Sequence, residues 1–360
     1  MSGRPRDCVV FLGGCAVGSY TGGMLAAAGA EVVLVDGWPE HVEAIRARGL
    51  TIAAPEGERR AQPAAWHLGE ACRLRELAPV AAFLTVKLYD TAWAAALLAQ
   101  WMRADVPVVT LQNALVEEVV ARAVGWGRVL GCIGGGLDVS LRGAGVVQRS
   151  RRRRASASPV FKVGEMHGRR TPRAERIAAL LDGVDRAAVT TDLWTQRWEK
   201  LCANTMTTGL SGLTGLSLRE VYSREDTRRL AVRLGAEALA LGTALGFEVP
   251  ALFGVQASTW AETAREDGRG APAALDAAMT ALAAQAASMV EGGMSGTLQD
   301  LLKKRPTEVD YLNGYVDREA RRLGIPAPTH RAVAELIRAT ERGERAIGLD
   351  ALALIPVSRR

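Results

Sequence analysis

The first half of the chain alternates short apolar runs with amphipathic stretches. The apolar runs have the length of buried strands: Val9–Leu12, Glu31–Val35, Ala82–Val86, Val106–Thr110 and Val129–Gly134. The stretches between them have the spacing of helices: Tyr20–Ala28, Glu40–Arg48, Thr91–Met102 and Val116–Ala123. This alternation predicts a parallel sheet covered by helices on both faces.

The pattern changes after Gly134 and again after Asp192. Two closely spaced strands, a helix and one more strand are predicted first: Gly145–Gln148, Val160–Val163, Pro172–Leu181 and Ala187–Thr191. Long helices rich in alanine and leucine follow: Leu193–Met206, Thr227–Leu245, Ala271–Val290, Glu308–Leu323 and Ala332–Arg342. Since 360 residues exceed one typical core, the sequence predicts an α/β domain over 1–192 and an all-α domain over 193–360. Arg265–Pro272 is predicted to be an exposed loop.

Composition excludes several classes of protein. Hydrophobic residues make up 48% and charged residues 23%, as in folded globular proteins and unlike disordered chains. No apolar run is long enough to span a bilayer, and the first one breaks into glycines as a strand would, so we expect a cytoplasmic protein without a signal peptide. Five dispersed cysteines and four scattered histidines indicate neither a disulfide framework nor a metal site.

The net charge of +6 comes almost wholly from arginine. One run, Arg151–Arg154, falls where a hairpin tip is expected; we interpret it as a solvated turn, with a basic docking patch as the alternative, and predict no nucleic-acid partner. Arginine keeps its proton at working pH, whereas lysine can release it. The candidates for a proton-donating cation are therefore Lys87, Lys162, Lys200, Lys303 and Lys304.

A glycine-rich turn follows the first strand and opens a helix: Gly13, Gly14, Cys15, Ala16, Val17 and Gly18. The dinucleotide fingerprint G-x-G-x-x-G needs glycine for a tight turn, for close approach of the pyrophosphate and for helix–strand packing. Gly13 and Gly18 match it, and Cys15 replaces the middle glycine. The alternative is an ordinary strand–helix turn without a ligand.

An acidic residue, Asp36, ends the second strand. A carboxylate here accepts hydrogen bonds from a ribose 2′-hydroxyl and repels a 2′-phosphate, so it favours NAD over NADP. Its alternative or additional role is to cap the helix that begins near Pro39.

Lys200 and Asn204 lie four residues apart and project from one face of a predicted helix. Trp194, Trp198 and Leu201 supply apolar packing around them, which suits a partly desolvated ammonium that gives up a proton. On local sequence alone, a surface lysine that extends past aromatic rings is the alternative.

Glu308 belongs to a second polar segment. Thr307 and Asp310 resemble a helix-capping pair, which would place Glu308 in the first helical turn. A purely structural role for Glu308, in which its carboxylate pairs with the helix dipole, is the alternative to a role in the site.

Taken together, these segments resemble the ketopantoate reductase (2-dehydropantoate 2-reductase) family over nearly the whole chain. The matching motifs are the Gly13–Gly18 turn, Val86-Lys87, Leu111-Gln112-Asn113, Phe161–Glu165, Trp198-Glu199-Lys200-Leu201-x-x-Asn204, Leu298-Gln299-Asp300 and Thr307–Gly314. The resemblance implies an N-terminal Rossmann-type domain, a helical C-terminal domain like that of phosphogluconate dehydrogenases, and an active site in the cleft between them.

The resemblance also implies residue roles. Lys200 would protonate the substrate carbonyl oxygen, Glu308 would hold a substrate hydroxyl and Asn204 would orient the substrate. Asn113 and Lys87 would frame the nicotinamide, and no metal is expected. Asp36 favours NAD(H) as the cofactor, whereas the family resemblance also allows NADP(H).

Besides Cys15, two departures bear on the pocket. Ala114 stands where the family usually has glycine. Gly296 stands where it typically has a substrate-binding serine, and neighbouring Ser295 need not substitute, because one helical step turns a side chain by about 100°. The leading hypothesis is a nicotinamide-dependent reductase of ketopantoate, possible as a homodimer; the alternatives are a relative recruited to another carbonyl or imine and a non-catalytic cofactor-binding protein.

Overall fold

The described part of the chain comprises residues 7–154, 158–263 and 271–356 of a computed structural model. The chain divides into two units, Met1–Leu193 and Trp194–Arg360. Most of the predicted loop Arg265–Pro272 lies outside the described residues.

Strands of the first unit follow the apolar runs and add several that the runs did not predict. They are β1 Cys8–Leu12, β2 Glu31–Asp36, β3 Leu50–Ala54, β4 Gly57–Ala61, β5 Ala64–His67, β6 Ala81–Leu84, β7 Val108–Thr110, β8 Val129–Gly134, β9 Val139–Gly143, β10 Val146–Arg149, β11 Phe161–Glu165 and β12 Ala187–Thr190. The helices between them are α1 Ala16–Ala27, α2 Pro39–Arg48, α3 Thr91–Trp101, α4 Glu117–Val124 and α5 Pro172–Asp182.

The main sheet of this unit has the order β12-β11-β8-β7-β6-β1-β2-β5 in the described residues. Neighbouring strands are parallel except β8 and β11, which run antiparallel, so the prediction of a parallel sheet is correct for all but this pair. Alternate residues of β1 enter two apolar clusters: Val9 and Phe11 join one, and Val10 and Leu12 join the other. Apolar packing on both faces explains why β1 is a continuous hydrophobic run.

A smaller sheet has the order β4-β3-β10-β9. Because β10 pairs with β3 and β9 and not with β11, the predicted hairpin around Arg151–Arg154 is wrong. Two of these arginines hold the carboxyl end of α5: Arg153 donates to the carbonyl oxygens of Val184 and Gly183, and Arg154 donates to Asp182. Cations bound to terminal carbonyls stabilise a helix end, so this part of the run has a structural role.

The second unit is helical. Its helices are α6 Leu193–Thr214, which begins at the boundary, α7 Leu218–Ser223, α8 Glu225–Ala244, α9 Ala257–Thr263, α10 Ala271–Ser288, α11 Gly296–Leu302, α12 Asn313–Leu323 and α13 Pro328–Glu341. The prediction of an all-α domain is confirmed but for one short hairpin, β13 Ala251–Leu252 and β14 Val255–Gln256. No helix in the described ranges combines the length and apolarity that crossing a membrane requires.

Candidate active site

The glycine turn joins β1 to α1 and admits no side chain at its two ends. Gly13 has φ +109, and a Cβ there would lie 2.5 Å from the backbone nitrogen of Val86. At Gly18 a Cβ would lie 2.0 Å from the carbonyl oxygen of Gly13 and 2.6 Å from Oγ1 of Thr85. Both distances are far inside van der Waals contact, so these two positions require glycine for the turn and for helix–strand packing.

Cys15 occupies the middle fingerprint position in a backbone conformation that any residue can adopt. Its backbone is extended (φ −66, ψ −173) and it is the N-cap of α1, while its Sγ donates to the carbonyl oxygen of Thr85 at 2.7 Å. Burial raises the pKa of the Cys15 thiol, although the backbone N–H groups of Gly18 and Val17 lower it. The neutral thiol adds no anionic charge, and with Ala16 and Val17 it opens a helix whose first N–H groups suit a pyrophosphate.

The Asp36 carboxylate ties the end of β2 to the glycine turn. Oδ2 accepts from the Gly14 N–H at 2.5 Å and Oδ1 accepts from the Trp38 N–H at 2.7 Å. Two carboxylate oxygens offer about four acceptor positions, so Asp36 keeps capacity for the two hydroxyls of a ribose. The N-cap of α2 is Trp38, without a side-chain cap bond, so the prediction that Asp36 caps this helix is wrong, whereas the ribose role stays a prediction that these contacts allow.

Two further candidates follow neighbouring strands of the same sheet. Lys87 comes just after β6 and Asn113 just after β7, and both side chains are partly exposed. Between them, Gln112 donates through Nε2 to the carbonyl oxygen of Val86 and to Oγ1 of Thr91, both at 2.9 Å. The turn, Asp36, Lys87 and Asn113 thus lie at the carboxyl ends of adjacent parallel strands, where open α/β sheets bind their ligands.

Ala114, directly after Asn113, is buried and has φ +57. A left-handed backbone is easier for glycine than for alanine. This conformation gives a physical reason for the glycine that the resemblance expects at this position.

Trp198 anchors α6 in the second unit. Its indole is fully buried, donates through Nε1 to the Ala238 carbonyl oxygen at 3.1 Å, and stacks on Phe247 with ring centroids 4.7 Å apart. A Cβ at Gly242 of α8 would lie 2.1 Å from Nε1. The close approach of α8 to this indole fixes the rotation of α6 about its axis.

The opposite face of α6 carries the candidate catalytic groups. Lys200, Asn204 and Thr208 recur every four residues and are all half-buried. Thr208 is linked to the start of α11, since Ser295 Oγ lies 3.3 Å from the Thr208 carbonyl oxygen. Lys200 and Asn204 are thus brought onto one face, and that face extends towards Gly296.

Ser295 and Gly296 have different surroundings. Ser295 is buried and caps α11, its Oγ accepting from the Leu298 N–H at 3.0 Å. Its hydroxyl thus has two partners within the protein, the Leu298 N–H and the Thr208 carbonyl oxygen, and substrate binding by Ser295 or Gly296 stays a prediction. A Cβ added at Gly296 would meet nothing within 4 Å, which leaves space at this position.

Glu308 does not lie in the first turn of an α-helix, so that prediction is wrong. It precedes the 3-10 turn Val309–Tyr311, and α12 begins only at Asn313, because the backbone of Leu312 is non-helical (φ −110, ψ −104). The predicted capping pair is also absent from the described contacts: Thr307 Oγ1 accepts from the Val309 N–H, whereas Asp310 pairs with Arg338.

A buried polar network joins the start of α12 to α6. Asn313 donates to the Thr205 carbonyl oxygen at 3.0 Å and contacts Nδ1 of His330 at 3.2 Å, and Nε2 of His330 lies 2.9 Å from the Leu234 carbonyl oxygen. Burial lowers the pKa of His330 to about 4. A neutral imidazole donating through Nε2 satisfies both contacts, so His330 is a structural residue at the start of α13.

A nicotinamide dinucleotide fits the residues of the first unit. Its glycine turn is a cradle that side chains would fill, the N-terminus of α1 suits phosphate, and Asp36 can accept from ribose hydroxyls. Among the described residues, no group of three or more His, Cys, Asp and Glu side chains could hold a metal ion. Fold and site together define a nicotinamide-dependent oxidoreductase.

Comparison with known proteins makes this class specific. Residues 9–158 match the family described as Ketopantoate reductase PanE/ApbA, and residues 192–341 match its C-terminal region. The chain therefore belongs to the ketopantoate reductase family, and the resemblance drawn from its motifs is confirmed.

Relatives are similar over nearly their full length. The 2-dehydropantoate 2-reductase of Mesorhizobium japonicum is 28% identical, with 93% of this chain and 98% of that protein aligned. The protein of the same name from Archaeoglobus fulgidus is 26% identical, with 93% and 98% covered. These comparisons agree with the predicted enzyme class.

Solved structures share the fold. A PanE/ApbA family ketopantoate reductase from Ralstonia eutropha has a TM-score of 0.74 at 24% identity, covering 94% of this chain and 100% of that one. A D-mandelate dehydrogenase bound to NADH and anilino(oxo)acetate also has a TM-score of 0.74, at 20% identity and with 93% and 99% covered.

One group of residues beside the glycine turn was not predicted from the sequence. Ser19 donates to the Gly14 carbonyl oxygen at 2.6 Å, and His41 contacts Oγ of Ser19 at 2.9 Å while accepting from the Gly145 N–H at 3.0 Å. The signal in the sequence is that Ser19 directly follows Gly18 of the turn. The contact between His41 and Gly145 joins residues 104 positions apart, so no local pattern indicates it.

Proposed function

We propose that this protein reduces 2-dehydropantoate to pantoate with NADH as the preferred hydride donor. The observation that carries the proposal is the half-buried face of α6, which presents Lys200 and Asn204 together in a chain whose two halves both match the ketopantoate reductase family.

The first unit supplies the groups for the cofactor, which, when bound, would provide the hydride. The N–H groups that open α1 at Ala16 and Val17 would hold the pyrophosphate, and Asp36 would accept from the adenosine ribose. Lys87 and Asn113 would border the nicotinamide.

Lys200 would act as general acid. Hydride addition to a keto group builds negative charge on the carbonyl oxygen, and a nearby ammonium stabilises this charge more in the transition state than in the ground state. Lys200 would then transfer its proton to that oxygen. Asn204, one turn further along α6, would orient the substrate, and Glu308 would accept a hydrogen bond from its hydroxyl.

The preference for NADH rests on the charges around the end of β2. His67 lies beside Asp36 in the sheet register, and its Nε2 lies 2.6 Å from a carboxylate oxygen of Glu43. Arg46 is paired with Glu70. A 2′-phosphate would thus meet the Asp36 carboxylate, while the neighbouring Arg46 and His67 side chains already contact acidic partners.

One observation favours a second candidate, the reduction of another 2-keto acid. The resemblance expects a hydroxyl at Gly296, whereas this chain has open space there and commits Ser295 to the helix cap. A site without that hydroxyl would select less strongly for the hydroxyl of ketopantoate. The fold neighbour D-mandelate dehydrogenase was solved with anilino(oxo)acetate, an aryl-substituted compound.

A homodimer would cover apolar surface of the second unit. Met294 and Leu302 are 42% and 60% exposed, and burial of such side chains favours association. Light scattering during gel filtration should give twice the chain mass; a mass of one chain would refute the dimer.

The experiment for the activity follows oxidation of NADH and NADPH against ketopantoate, aryl and alkyl 2-keto acids and cyclic imines. We expect the highest kcat/KM for NADH with ketopantoate. A higher value for another keto acid or an imine would select the recruited-enzyme hypothesis, a preference for NADPH would overturn the role of Asp36, and no oxidation with any compound would overturn the enzymatic function.

A further inference from the structure

An exposed tryptophan lies beside the proposed ribose site. Trp38 is two residues after Asp36 and immediately precedes α2. Its side chain is 40% exposed, although burial of apolar area stabilises a folded chain.

One face of the Trp38 ring is covered and held. The indole stacks on the imidazole of His41 with ring centroids 5.4 Å apart and the planes 6° from parallel. His41 is itself fully buried and is fixed by the Gly145 N–H at Nδ1 and by Oγ of Ser19 at Nε2.

Two routes connect this indole to the glycine turn. Through the backbone, the Trp38 N–H and the Gly14 N–H donate to the two oxygens of Asp36. Through the rings, Trp38 stacks on His41, which contacts Ser19, and Ser19 donates to the Gly14 carbonyl oxygen. The position of the indole is therefore set relative to the groups that would bind pyrophosphate and ribose.

We infer that the uncovered face of Trp38 is a stacking platform for the adenine of the cofactor. The inference rests on the proposed use of a nicotinamide adenine dinucleotide and assigns its adenine end to a residue. In such a dinucleotide the adenine is attached to the ribose that Asp36 would hold, so the ring next to Asp36 is the one within reach. Stacking of a base on an aromatic side chain strengthens binding substantially and does not depend on hydrogen bonds to the base.

Another exposed tryptophan provides a matched control. Trp126 is 51% exposed, but it lies in a turn directly before β8. Because β8 and β7 are parallel, this turn is at the amino ends of the strands, away from the glycine turn.

The test compares the affinities of Trp38→Ala, Trp38→Phe and Trp126→Ala for three ligands by isothermal titration calorimetry. The ligands are NADH, ADP-ribose (which lacks the nicotinamide) and reduced nicotinamide mononucleotide (which lacks the adenosine). We expect Trp38→Ala to bind NADH and ADP-ribose about tenfold or more weakly and the mononucleotide as the wild type does. Trp38→Phe should recover most of the affinity, and Trp126→Ala should change none.

Kinetics add an independent readout. In Trp38→Ala, KM for NADH should rise while kcat stays within about twofold, since a remote binding contact acts equally on the ground state and the transition state.

Each other outcome is informative. Unchanged binding of NADH and ADP-ribose by Trp38→Ala overturns the platform while leaving the proposed function intact. An equal loss for all three ligands, or no rescue by phenylalanine, means that Trp38 only supports the turn and also overturns the platform. A wild-type protein that binds neither NADH nor NADPH overturns the proposed function and the platform with it.

Discussion

The cofactor end of the first unit and the α6 face of the second unit are constrained in different ways. Around the glycine turn, backbone atoms lie within 2.5 Å of the places where side chains would begin at Gly13 and Gly18. At Gly296, by contrast, an added Cβ would meet nothing within 4 Å. Backbone packing thus limits which residues the glycine turn of the cofactor site can contain. At Gly296, on the proposed substrate side, a side chain can be added at little cost to the fold.

The largest effect should come from adding one methyl group to the turn. Gly18→Ala places a Cβ against the Gly13 carbonyl oxygen, and neither α1 nor β1 can move without losing packing. We expect NADH affinity to fall about 100-fold or more, measured by calorimetry.

Gly69→Ala is the matched control, because a Cβ there would meet nothing within 4 Å. If Gly18→Ala bound NADH as tightly as this control, the turn would not be the restricted region.

The second unit should respond to pH through its buried network. The pKa of His330 is about 4 in the folded chain and 6.5 ordinarily, so between these values the unfolded chain binds more protons and stability falls as the pH falls. The contribution is up to about 1.4 kcal/mol per pH unit, absent above pH 6.5 and constant below about pH 4.

Urea unfolding of the wild type and His330→Gln from pH 7 to pH 4 measures this contribution. The variant should lose less free energy of unfolding than the wild type over this range. Equal losses would show that another group controls the acid sensitivity.

Asp36→Asn should change which cofactor is preferred. The amide removes the negative charge that a 2′-phosphate would meet, and it leaves one of the two backbone N–H groups, at Gly14 or Trp38, without its acceptor. We expect the ratio of kcat/KM for NADH over NADPH to fall about tenfold. A ratio that rises or stays constant would contradict the role of Asp36.

Gly296→Ser should have the smallest effect. A Cβ added there meets no atom within 4 Å, so the melting temperature should stay within about 2 °C, and kcat/KM for ketopantoate should rise severalfold relative to a keto acid without the hydroxyl. An unchanged ratio would favour the recruited-enzyme hypothesis.

Regions whose residues are explained by local contacts were predicted well. The strands of the main sheet that are buried on both faces, such as β1, appear as continuous apolar runs, and the glycine turn is explained by the backbone. By contrast, β4 is the polar segment Gly57–Ala61, mostly exposed; it exists because its backbone pairs with β3, which no hydrophobic pattern indicates.

The errors in the site arose where distant contacts control the backbone. The helix expected at Glu308 is interrupted at Leu312, and the next residue, Asn313, is bound to Thr205, 108 residues away. The pairing of Trp38, His41 and Ser19 likewise depends on how α1, α2 and the turn before β10 pack. Spacing along the chain does not contain that information.

The central claim is that Lys200 donates the proton. Stopped-flow and steady-state measurements on Lys200→Ala should show kcat reduced about 10²- to 10⁴-fold with the Kd for NADH unchanged, and Lys304→Asn, an exposed position with a left-handed backbone that asparagine tolerates, should behave as the wild type. A Lys200→Ala enzyme that keeps kcat within tenfold of the wild type would contradict the account.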